Sequence, residues 1–202
     1  MAMQVSLRCC CGRVRGIAND VSPDHGNRVI CYCDDCQAFA HFLERADLLD
    51  AAGGTDVYQL APARVHITQG AEALCCVRLS AKGLYRWYTD CCKTPVGNTV
   101  AGAPFIGMPV LFMDHVTDEQ TLDEVLGKPV ALVQARYAIG PVPAEAQQRI
   151  KLWVFARMTR LMLGWWITGL RTPSPFFNRR TGQPIVTPRV LTSDERAKLG
   201  GP

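Results

Sequence analysis

Alternating apolar and polar side chains occur in short runs along the N-terminal half of the chain, and this period of two is typical of half-buried β-strands. In the first run, Val5, Leu7 and Cys9 fall on one face. Glycine and proline separate the runs, as they do in turns. The predicted strands are 4–9, 13–17, 28–31, 56–60, 65–69, 73–80 and 85–88. The last four are short and closely spaced, which favours an antiparallel meander over β-α-β units.

Helical spacing of apolar residues is confined to fewer segments. Phe39, Phe42 and Leu43 share one side of a helix predicted over 37–49, which two glycines end. The remaining predictions are irregular chain around Pro95, Gly97 and Pro104, a short helix capped by Thr117 and Gln120 and ending at Gly127, a strand over 131–139 and a short helix after Ser193.

The character of the sequence changes from 144 to about 170. Arg149, Arg157 and Arg160 fall in one narrow sector of a helical wheel. The broad opposite face holds Val154, Phe155, Met158, Leu161, Met162 and Trp166. A membrane span is excluded, because two arginines inside it would each cost about 2.5–3.5 kcal/mol near the bilayer centre. The segment is therefore predicted to be a buried or interfacial amphipathic helix, followed by a basic, proline-rich tail.

Composition and charge divide the chain into two parts. With 48% hydrophobic and 20% charged residues among 202, this is an ordinary globular sequence, which excludes intrinsic disorder over most of its length. Residues 1–148 carry 12 basic and 16 acidic side chains, a net of −4, whereas residues 149–202 carry 10 basic and 2 acidic, a net of +8. We therefore expect a mainly β (α+β) domain over 1–140 and a C-terminal helix and basic tail over 141–202.

The basic C-terminal part has several interpretations. A solvated helix face with a solvated tail is the default. A homodimer contact through the helix and peripheral attachment to an anionic membrane surface are the alternatives. Nucleic acid is not expected as a partner, because the aromatic residues lie on the apolar face and are not interleaved with the basic ones.

Ten cysteines, most of them clustered, carry the candidate chemistry. The N-terminal segment contains no apolar run long enough for a signal peptide, so we expect a reducing, cytoplasmic location. Clustered cysteines there are typical of metal ligands or catalytic thiols, and zinc is favoured over disulfides. Cys75 and Cys76 lie within a predicted strand and are interpreted as core residues.

Cys31, Cys33 and Cys36 form a Cys-x-Cys-x-x-Cys knuckle, which can bring three soft ligands to one ion. A buried apolar cluster is the alternative, but Asp34 and Asp35 between the cysteines indicate an exposed turn. These two aspartates are interpreted as caps of the following helix rather than as catalytic carboxylates. Weaker candidates are His25 as a fourth ligand, His41 as an acid or base, and Arg86-Trp87-Tyr88 as a ligand-facing wall or, more simply, as core.

In chain order the clusters are Cys9-x-Cys11-Gly12-x-Val14, Cys31-x-Cys33-x-x-Cys36 and Cys91-Cys92-Lys93-Thr94-Pro95. This order resembles the glutathione-dependent formaldehyde-activating enzyme family, which includes the centromere protein V domains, and within it an uncharacterised bacterial branch. The resemblance covers roughly residues 3 to 115. It implies a zinc-bound antiparallel β-tent (Mss4-like) and an activity as a carbon–sulfur lyase on a small, glutathione-type thiol adduct.

The resemblance also implies two zinc sites of different kinds. Cys9 and Cys11 would join the third cluster in a structural site with four thiolates. Cys31, Cys33 and Cys36 would hold a second zinc whose fourth position stays open, as in catalytic zinc sites. An open position can bind a thiolate or polarise an oxygen of the adduct.

The third cluster departs from the family pattern of Cys-x-x-Cys-Gly. Alignment on Thr94-Pro95 places Thr89 where the first cysteine is expected, Cys92 at the second and Lys93 in place of the glycine. Cys91 is the favoured substitute for the missing ligand, and Cys10 is a weaker one. An incomplete site is the alternative.

Two functions from different classes follow from these residues. One is a lyase at the three-cysteine zinc. Because three thiolates give that centre a net charge of −1, neighbouring donors such as Arg28 would have to moderate it. The other is a non-catalytic, zinc-stabilised interaction module that uses the C-terminal helix to form an oligomer or to bind a surface.

Overall fold

The structure, a computed structural model, describes residues 2–114, 121–144, 146 and 151–200. It is mainly β, with two sheets and a few helices, in agreement with the predicted α+β class. The strands are β1 (Met3–Arg8), β2 (Arg15–Val21), β3 (Asn27–Cys31), β4 (Thr55–Leu60), β5 (Val65–Gln69), β6 (Leu74–Arg78), β7 (Tyr85–Thr89), β8 (Pro95–Thr99), β9 (Ile106–Pro109), β10 (Met113–Asp114), β11 (Ala131–Val133) and β12 (Arg189–Val190). The helices are α1 (Asp34–Phe42), α2 (Leu122–Leu126), α3 (Leu152–Ile167) and α4 (Ser193–Lys198).

The smaller sheet is antiparallel throughout and has the order β10-β1-β2-β5. The alternation predicted for β1 is confirmed, since Val5 and Leu7 are buried while Ser6 and Arg8 are exposed. Each such apolar side chain gains about 1.5–3 kcal/mol when it leaves water, and this holds one face of the sheet against the core. Cys9 continues the buried face and is thereby fixed at the end of β1.

The larger sheet has the order β11-β3-β4-β9-β8-β7-β6-β12. It is antiparallel except at its two edges, where β11 lies parallel to β3 and β12 lies parallel to β6. The meander predicted over the four strands at 56–88 is wrong in its first half, because β4 pairs with β3 and β9 whereas β5 joins β2 in the smaller sheet. A helical turn at Pro62–Arg64 carries the chain between the sheets, and the meander runs from β6 to β9.

Two strands, β8 and β9, occupy the stretch predicted to be irregular, so that prediction is wrong. Pro95 is the first residue of β8, a position at which a missing N–H is tolerated in a strand. All five residues of β8 are buried. A strand buried on both faces lacks the alternation that identifies a half-buried one, which is why the pattern did not indicate it.

Helix α1 begins and ends earlier than the predicted 37–49. It starts directly after Cys33, and Glu44 has a φ of 55°, a left-handed conformation that does not continue a helix. Phe39 and Leu43 pack in a core cluster beneath the helix, as their spacing predicted.

The next two elements differ from their predictions in detail. The predicted cap residues Thr117 and Gln120 lie outside the described residues. Within them, α2 has a capping box formed by Thr121 and Glu124. The long strand predicted after α2 reduces to β11, because Gln134 has a φ of 62° and turns the chain away.

Helix α3 is shorter than predicted and packs through only part of the predicted apolar face, the part that includes Val154 and Met158. Of its described side chains only Val154 and Trp165 are buried. Phe155 and Trp166, from the predicted apolar face, are 59% and 55% exposed. Arg157, from the predicted polar sector, donates hydrogen bonds to the start of β3 and to the loop before it. The helix is therefore anchored by an arginine and leaves much of its apolar surface in solvent.

The C-terminal segment contributes to the core of the β domain. Phe176 is fully buried beside β7, and Leu191 joins the cluster under α1. Arg196 of α4 lies 3.2 Å from Asp34 and 3.3 Å from Asp35 in the first turn of α1. Among the described helices, none is long and apolar enough to cross a membrane.

Candidate metal centres

Four cysteines from two turns converge at one end of the β domain. Cys9 and Cys11 follow β1, and Cys91 and Cys92 lie between β7 and β8. Their four Sγ atoms all lie within 4.8 Å of one another. The Sγ atom of Cys91 is 3.3 Å from that of Cys11 and 3.9 Å from that of Cys9, and the Sγ atoms of Cys9 and Cys11 are 3.6 Å apart.

These sulfur separations fit a tetrahedral metal ion. Zinc–thiolate bonds of about 2.3 Å at tetrahedral angles place neighbouring sulfurs about 3.8 Å apart. The observed values of 3.3–3.9 Å lie close to that distance without any S–S bond, and all ten cysteines are free thiols. The donor set is therefore suited to a soft, four-coordinate ion.

The first turn has the geometry of a zinc knuckle. Gly12 has a φ of 77°, the left-handed conformation that glycine adopts without steric cost, and its N–H donates to the carbonyl of Cys9. The N–H of Val14 then donates to the Cys9 sulfur at 3.2 Å. A backbone donor aimed at the sulfur stabilises the thiolate that metal binding requires.

The second turn explains how adjacent cysteines reach one centre. Lys93 has a φ of 54°, which bends the chain so that Cys91 and Cys92 both contribute, with their Sγ atoms 3.8 Å apart. Thr89, at the position where a cysteine was expected, instead accepts a hydrogen bond from the N–H of Thr94. The predicted substitution of Cys91 for the missing ligand thus has a geometric basis, whereas Cys10 points to Arg45.

The hydroxyl groups of Thr89 and Thr94 both contact the sulfur of Cys92. Burial alone would raise the pKa of this thiol, but Thr89 and Thr94, at 3.4 and 3.1 Å, lower its pKa to about 5. Burial raises the pKa of Cys91 to about 12 and also raises that of Cys9. A metal ion bound there would displace the protons that remain on the thiols.

A second group is formed by Cys31, Cys33 and Cys36, whose Sγ atoms also lie within 4.8 Å of one another. Cys31 ends β3, Cys33 is the residue before α1, and Cys36 lies in the first turn of α1. The N–H of Cys36 donates to the carbonyl of Cys33, which closes the knuckle. The side-chain amide of Gln37 supports this turn by donating to the carbonyls of Tyr32 and Tyr137, at 2.8 Å each.

An arginine from the run Arg86-Trp87-Tyr88, which was predicted to be either a ligand-facing wall or part of the core, lies beside this group. Arg86 of β7 is buried, and hydrogen bonds from Cys31 and Cys33, together with the charge of Arg86, hold the pKa of Cys36 well below its usual range. Arg28, the donor expected from the sequence, binds Asp56 and Asp123 instead, at 2.7 Å each. Arg86, rather than Arg28, is the arginine next to the three-cysteine group.

The strand pairings show why the sequence could name Arg86 as a candidate but could not place it beside Cys36. β7 and β3 are separated by three strands in the larger sheet, and only the three-dimensional path of that sheet brings Arg86 to Cys36. Thr55 was not a sequence candidate. It lies directly opposite Cys31 because β3 pairs with β4, and the spacing of the cysteines does not predict that pairing. The signal in the sequence was an arginine next to large aromatic residues within a predicted strand. Arginine is rarely buried unless it is paired, so such a position indicates a polar partner.

Arg86 and Thr55 line a small cavity beside Cys36. Its volume is about 10 Å³. Phe39 and Pro109 are among its other walls. A wider cleft of about 270 Å³ shares Thr55, Leu48 and Pro109 with the cavity, so the two adjoin. Cys36 thus lies next to a small cavity that adjoins a wider cleft.

The remaining sequence candidates lie away from both groups or have other partners. His25 pairs with Asp20 at 2.6 Å, and His41 contacts the carbonyl of Leu199 at 2.6 Å. The described residues include no histidine in either metal-ligating group. Asp34 and Asp35 follow the N-cap position rather than occupying it, so their assignment as caps is wrong.

Two further cysteines and the aromatic run also have structural partners. Cys76 is buried in the core, and Cys75 pairs with Tyr88 across β6 and β7. Trp87 is fully buried and donates to Thr99 at 2.9 Å. Within the run of Arg86, Trp87 and Tyr88, only the arginine faces the cavity.

Comparison with known proteins places the chain in a family without an assigned activity. A search of curated proteins found no match. A crystal structure of a Rhodobacter sphaeroides protein, from a structural genomics programme, is similar over 55% of this chain and 90% of that one, at 14% identity and a TM-score of 0.42. Residues 1–187 match the family described as "Family of unknown function (DUF6151)". Because that match covers most of the 202 residues, the chain belongs to the DUF6151 family.

Proposed function

We propose that this protein is a zinc-dependent carbon–sulfur lyase of the glutathione-dependent formaldehyde-activating type, with a β-tent fold built around two zinc ions. Zinc is the ion that best suits compact groups of thiolates, because it accepts tetrahedral sulfur ligation and does not undergo redox chemistry. The observation that supports this function most is the difference between the two cysteine groups. One offers four sulfurs, and the other offers three, one of which borders a small cavity that adjoins a cleft.

The four-cysteine group is proposed as the structural site. Four thiolates complete a tetrahedron and leave no position for a substrate. The group ties the turn after β1 to the turn between β7 and β8, which belong to different sheets. Metal binding there would contribute directly to folding, since the unfolded chain lacks the preformed site.

The three-cysteine group is proposed as the reactive site. A zinc ion held by Cys31, Cys33 and Cys36 supplies an open position that lowers the pKa of a bound thiol and keeps it as a thiolate. The surrounding residues bind and orient the rest of the ligand. Arg86 offsets negative charge next to Cys36, and Phe39 and Leu48 form apolar walls of the adjoining cavity that exclude water.

The proposed reaction joins a small thiol and an aldehyde, or separates them. In the forward direction the thiol sulfur forms a bond to the carbonyl carbon, and the thiol proton ends on the former carbonyl oxygen. In the reverse direction the hydroxyl proton returns to sulfur as the carbon–sulfur bond breaks. Atoms and electrons balance without an oxidant. A glutathione-type adduct of formaldehyde is the proposed substrate.

The test follows adduct formation directly. Glutathione and formaldehyde are mixed with the metal-loaded protein, and exchange between free and adduct signals is measured by NMR. The proposed function requires a rate above the uncatalysed one that is lost in Cys33→Ser and retained in Cys10→Ser, which changes a cysteine outside both metal groups. A rate equal to the uncatalysed one with several aldehydes would contradict it.

A second candidate function, peripheral binding to an anionic membrane surface, is favoured by helix α3. Trp153, Leu163 and Ile167 are 55%, 52% and 69% exposed, in addition to the exposed Phe155 and Trp166. Exposed apolar patches of this kind mark interaction sites. A second copy of the chain could cover the same face in a dimer. The charge of the surrounding residues distinguishes this dimer from binding to an anionic membrane.

The charge around α3 favours lipid. Arg160 lies on the helix, and Arg171, Arg179 and Arg180 follow it, all exposed. Residues 149–202 carry a net charge of +8, and two copies of so basic a segment would repel each other in a dimer. Tryptophan next to arginine on a helix that does not span the bilayer is typical of interfacial binding.

Vesicle sedimentation distinguishes the occupants. We expect binding to phosphatidylserine-containing vesicles, weak binding to phosphatidylcholine alone, and a large loss in the double variant Trp153→Ala/Trp166→Ala. Ile185→Ala, an exposed apolar change elsewhere, should leave binding unchanged. Equal binding by the double variant, or a concentration-dependent dimer that shields these tryptophans in the absence of lipid, would overturn the membrane assignment.

A further inference from the structure

Two buried polar atoms beside the three-cysteine group have no partner in the described structure. They are Nε of Arg86 and Oγ1 of Thr55. Arg86 is only 1% exposed. A buried donor left unpaired costs about 1–3 kcal/mol, and more when it is charged. Native proteins leave few such atoms unpaired, so both atoms indicate a missing oxygen or other acceptor.

The other contacts of Arg86 fix the direction of its free donor. One terminal nitrogen donates to Asn98 Oδ1 at 3.3 Å, and the other lies 3.5 Å from a carboxylate oxygen of Asp35. The guanidinium carbon is 5.4 Å from the centre of the Phe39 ring. These contacts hold both terminal nitrogens and one face of the guanidinium, so the side chain is a rigid donor. They do not offset the free-energy cost of leaving Nε buried without an acceptor.

Arg86 and Thr55, which carry the unpaired atoms, line the same cavity, and Cys36 lines it too. The volume of about 10 Å³ accommodates one water-sized group and nothing larger. The adjoining cleft of about 270 Å³ has room for the remainder of a small molecule. Leu48, Thr55 and Pro109 line both spaces, and the small volume beside Arg86 has room only for the polar tip of a ligand.

We propose that Arg86 and Thr55 form a subsite for a single oxygen atom of a small thiol ligand, whose sulfur lies at the Cys31, Cys33 and Cys36 group. This inference rests on the proposed function, because it requires a ligand position at that group. Arg86 donates through Nε, and the Thr55 hydroxyl donates or accepts. The ligand class is a hydroxyl- or carbonyl-bearing thiol, in contrast to a purely alkyl thiol.

The subsite also accounts for selectivity. A site built to hydrogen-bond an oxygen discriminates strongly against an analogue without it, because the donors are then left buried and unpaired. Besides Arg86 and Thr55, the cavity walls carry polar side chains only at Cys36 and Asn98, and Asn98 Oδ1 already accepts from Arg86. An alkyl thiol therefore binds through sulfur alone, whereas a hydroxyalkyl thiol gains the contact to Arg86.

The experiment compares two probes of matched size, 2-mercaptoethanol and ethanethiol, on the full chain loaded with Co²⁺. The visible spectrum of Co²⁺ reports binding of an external sulfur and gives an affinity without any turnover. We expect the wild-type protein to bind 2-mercaptoethanol about tenfold more tightly than ethanethiol, as one charged hydrogen bond implies.

Two variants remove the subsite. Thr55→Val deletes the hydroxyl at constant shape, and Arg86→Lys keeps the charge but removes Nε. Both should lower the ratio of the 2-mercaptoethanol affinity to the ethanethiol affinity towards unity. Thr55→Ser is the matched control and should keep the preference. Should Arg86→Lys fail to fold, the comparison of Thr55→Val with Thr55→Ser still decides.

The failures are distinguishable. If neither thiol changes the Co²⁺ spectrum, the proposed function is overturned and the subsite with it. If both thiols bind with equal affinity to the wild-type protein, or the preference survives in Thr55→Val, only the subsite is overturned.

Discussion

The indole ring of Trp87 and the phenyl ring of Phe176 are stacked, with centroids 4.8 Å apart and planes inclined by 18°. Trp87 belongs to the larger sheet, and Phe176 belongs to the basic C-terminal segment. Both side chains are fully buried. The segment that looked like an appendage in the sequence therefore supplies part of the core of the β domain.

Replacing Phe176 should destabilise the whole protein. Phe176→Ala removes a fully buried ring and leaves a cavity against Trp87, which costs about 3–5 kcal/mol. Ile185→Ala, at a side chain that is 46% exposed, should change the free energy of unfolding by less than about 0.5 kcal/mol. Chemical denaturation measures both. Similar small losses in the two variants would show that the C-terminal segment does not stabilise the β domain.

Loss of one cysteine in the four-cysteine group should release one metal ion per chain. Cys91→Ser removes a sulfur that lies 3.3 Å from Cys11, and the metal content should fall by one equivalent together with thermal stability. Cys10→Ser should retain the wild-type content, because Cys10 lies in the same turn but outside the group. Elemental analysis of purified protein measures the content. Full metal content in Cys91→Ser would restore the alternative of an incomplete site.

The contribution of Tyr58 to stability should depend on pH at the alkaline end. Burial raises the pKa of Tyr58 to about 12, from about 10 in the unfolded chain. A raised pKa means that the stabilisation is complete below pH 10 and is lost as the pH rises towards 12. The Tyr58 hydroxyl donates to the carbonyl of Ser22 at 2.7 Å, so Tyr58→Phe should cost about 1 kcal/mol at neutral pH.

The difference between wild-type and Tyr58→Phe should shrink between pH 10 and pH 12. Equilibrium unfolding in urea across that range measures it. Trp87→Phe, at a buried ring without a titrating group, provides the control, since its cost should show no such dependence. A difference for Tyr58→Phe that is constant over this range would contradict the shifted pKa.

Two glycines should respond to alanine in opposite directions. A Cβ at Gly26 would lie 2.3 Å from the ring of Tyr58 and 2.6 Å from the carbonyl of Gln59, so Gly26→Ala should destabilise by about 1–3 kcal/mol. A Cβ at Gly164, within α3, would meet nothing within 4 Å. Gly164→Ala should therefore stabilise the protein by about 0.5–1 kcal/mol. Thermal unfolding measures both signs, and a loss in Gly164→Ala would contradict the exposed placement of that side of α3.

The sequence predicted much of the β structure where one face of a strand is buried. Val5 and Leu7 alternate with polar residues and identified β1 correctly. The five residues of β8 are all buried, and no period could indicate them. Helix α3 shows the opposite problem. Apolar residues occupy most of its circumference. A helical wheel therefore does not predict that Val154 packs inwards while Phe155 remains exposed.

The candidate ligands were predictable because cysteine spacing is local, whereas their surroundings were not. Cys31, Cys33 and Cys36 lie within one turn of chain, and the sequence alone grouped them. Arg86 and Thr55 reach them only through long-range strand pairing and the path of the larger sheet. The general lesson is that short-range motifs identify ligands, while the donors that moderate their charge come from distant strands.

Helix α1 joins the two cysteine groups mechanically. Its first turn carries Cys36, and shortly after its last turn Arg45 donates to the carbonyl of Cys92 and to the sulfur of Cys10. A displacement at either end would therefore be transmitted to the other through a single rigid rod of nine residues. Arg45 thereby ties the turn that carries Cys92 to the helix whose first turn carries Cys36.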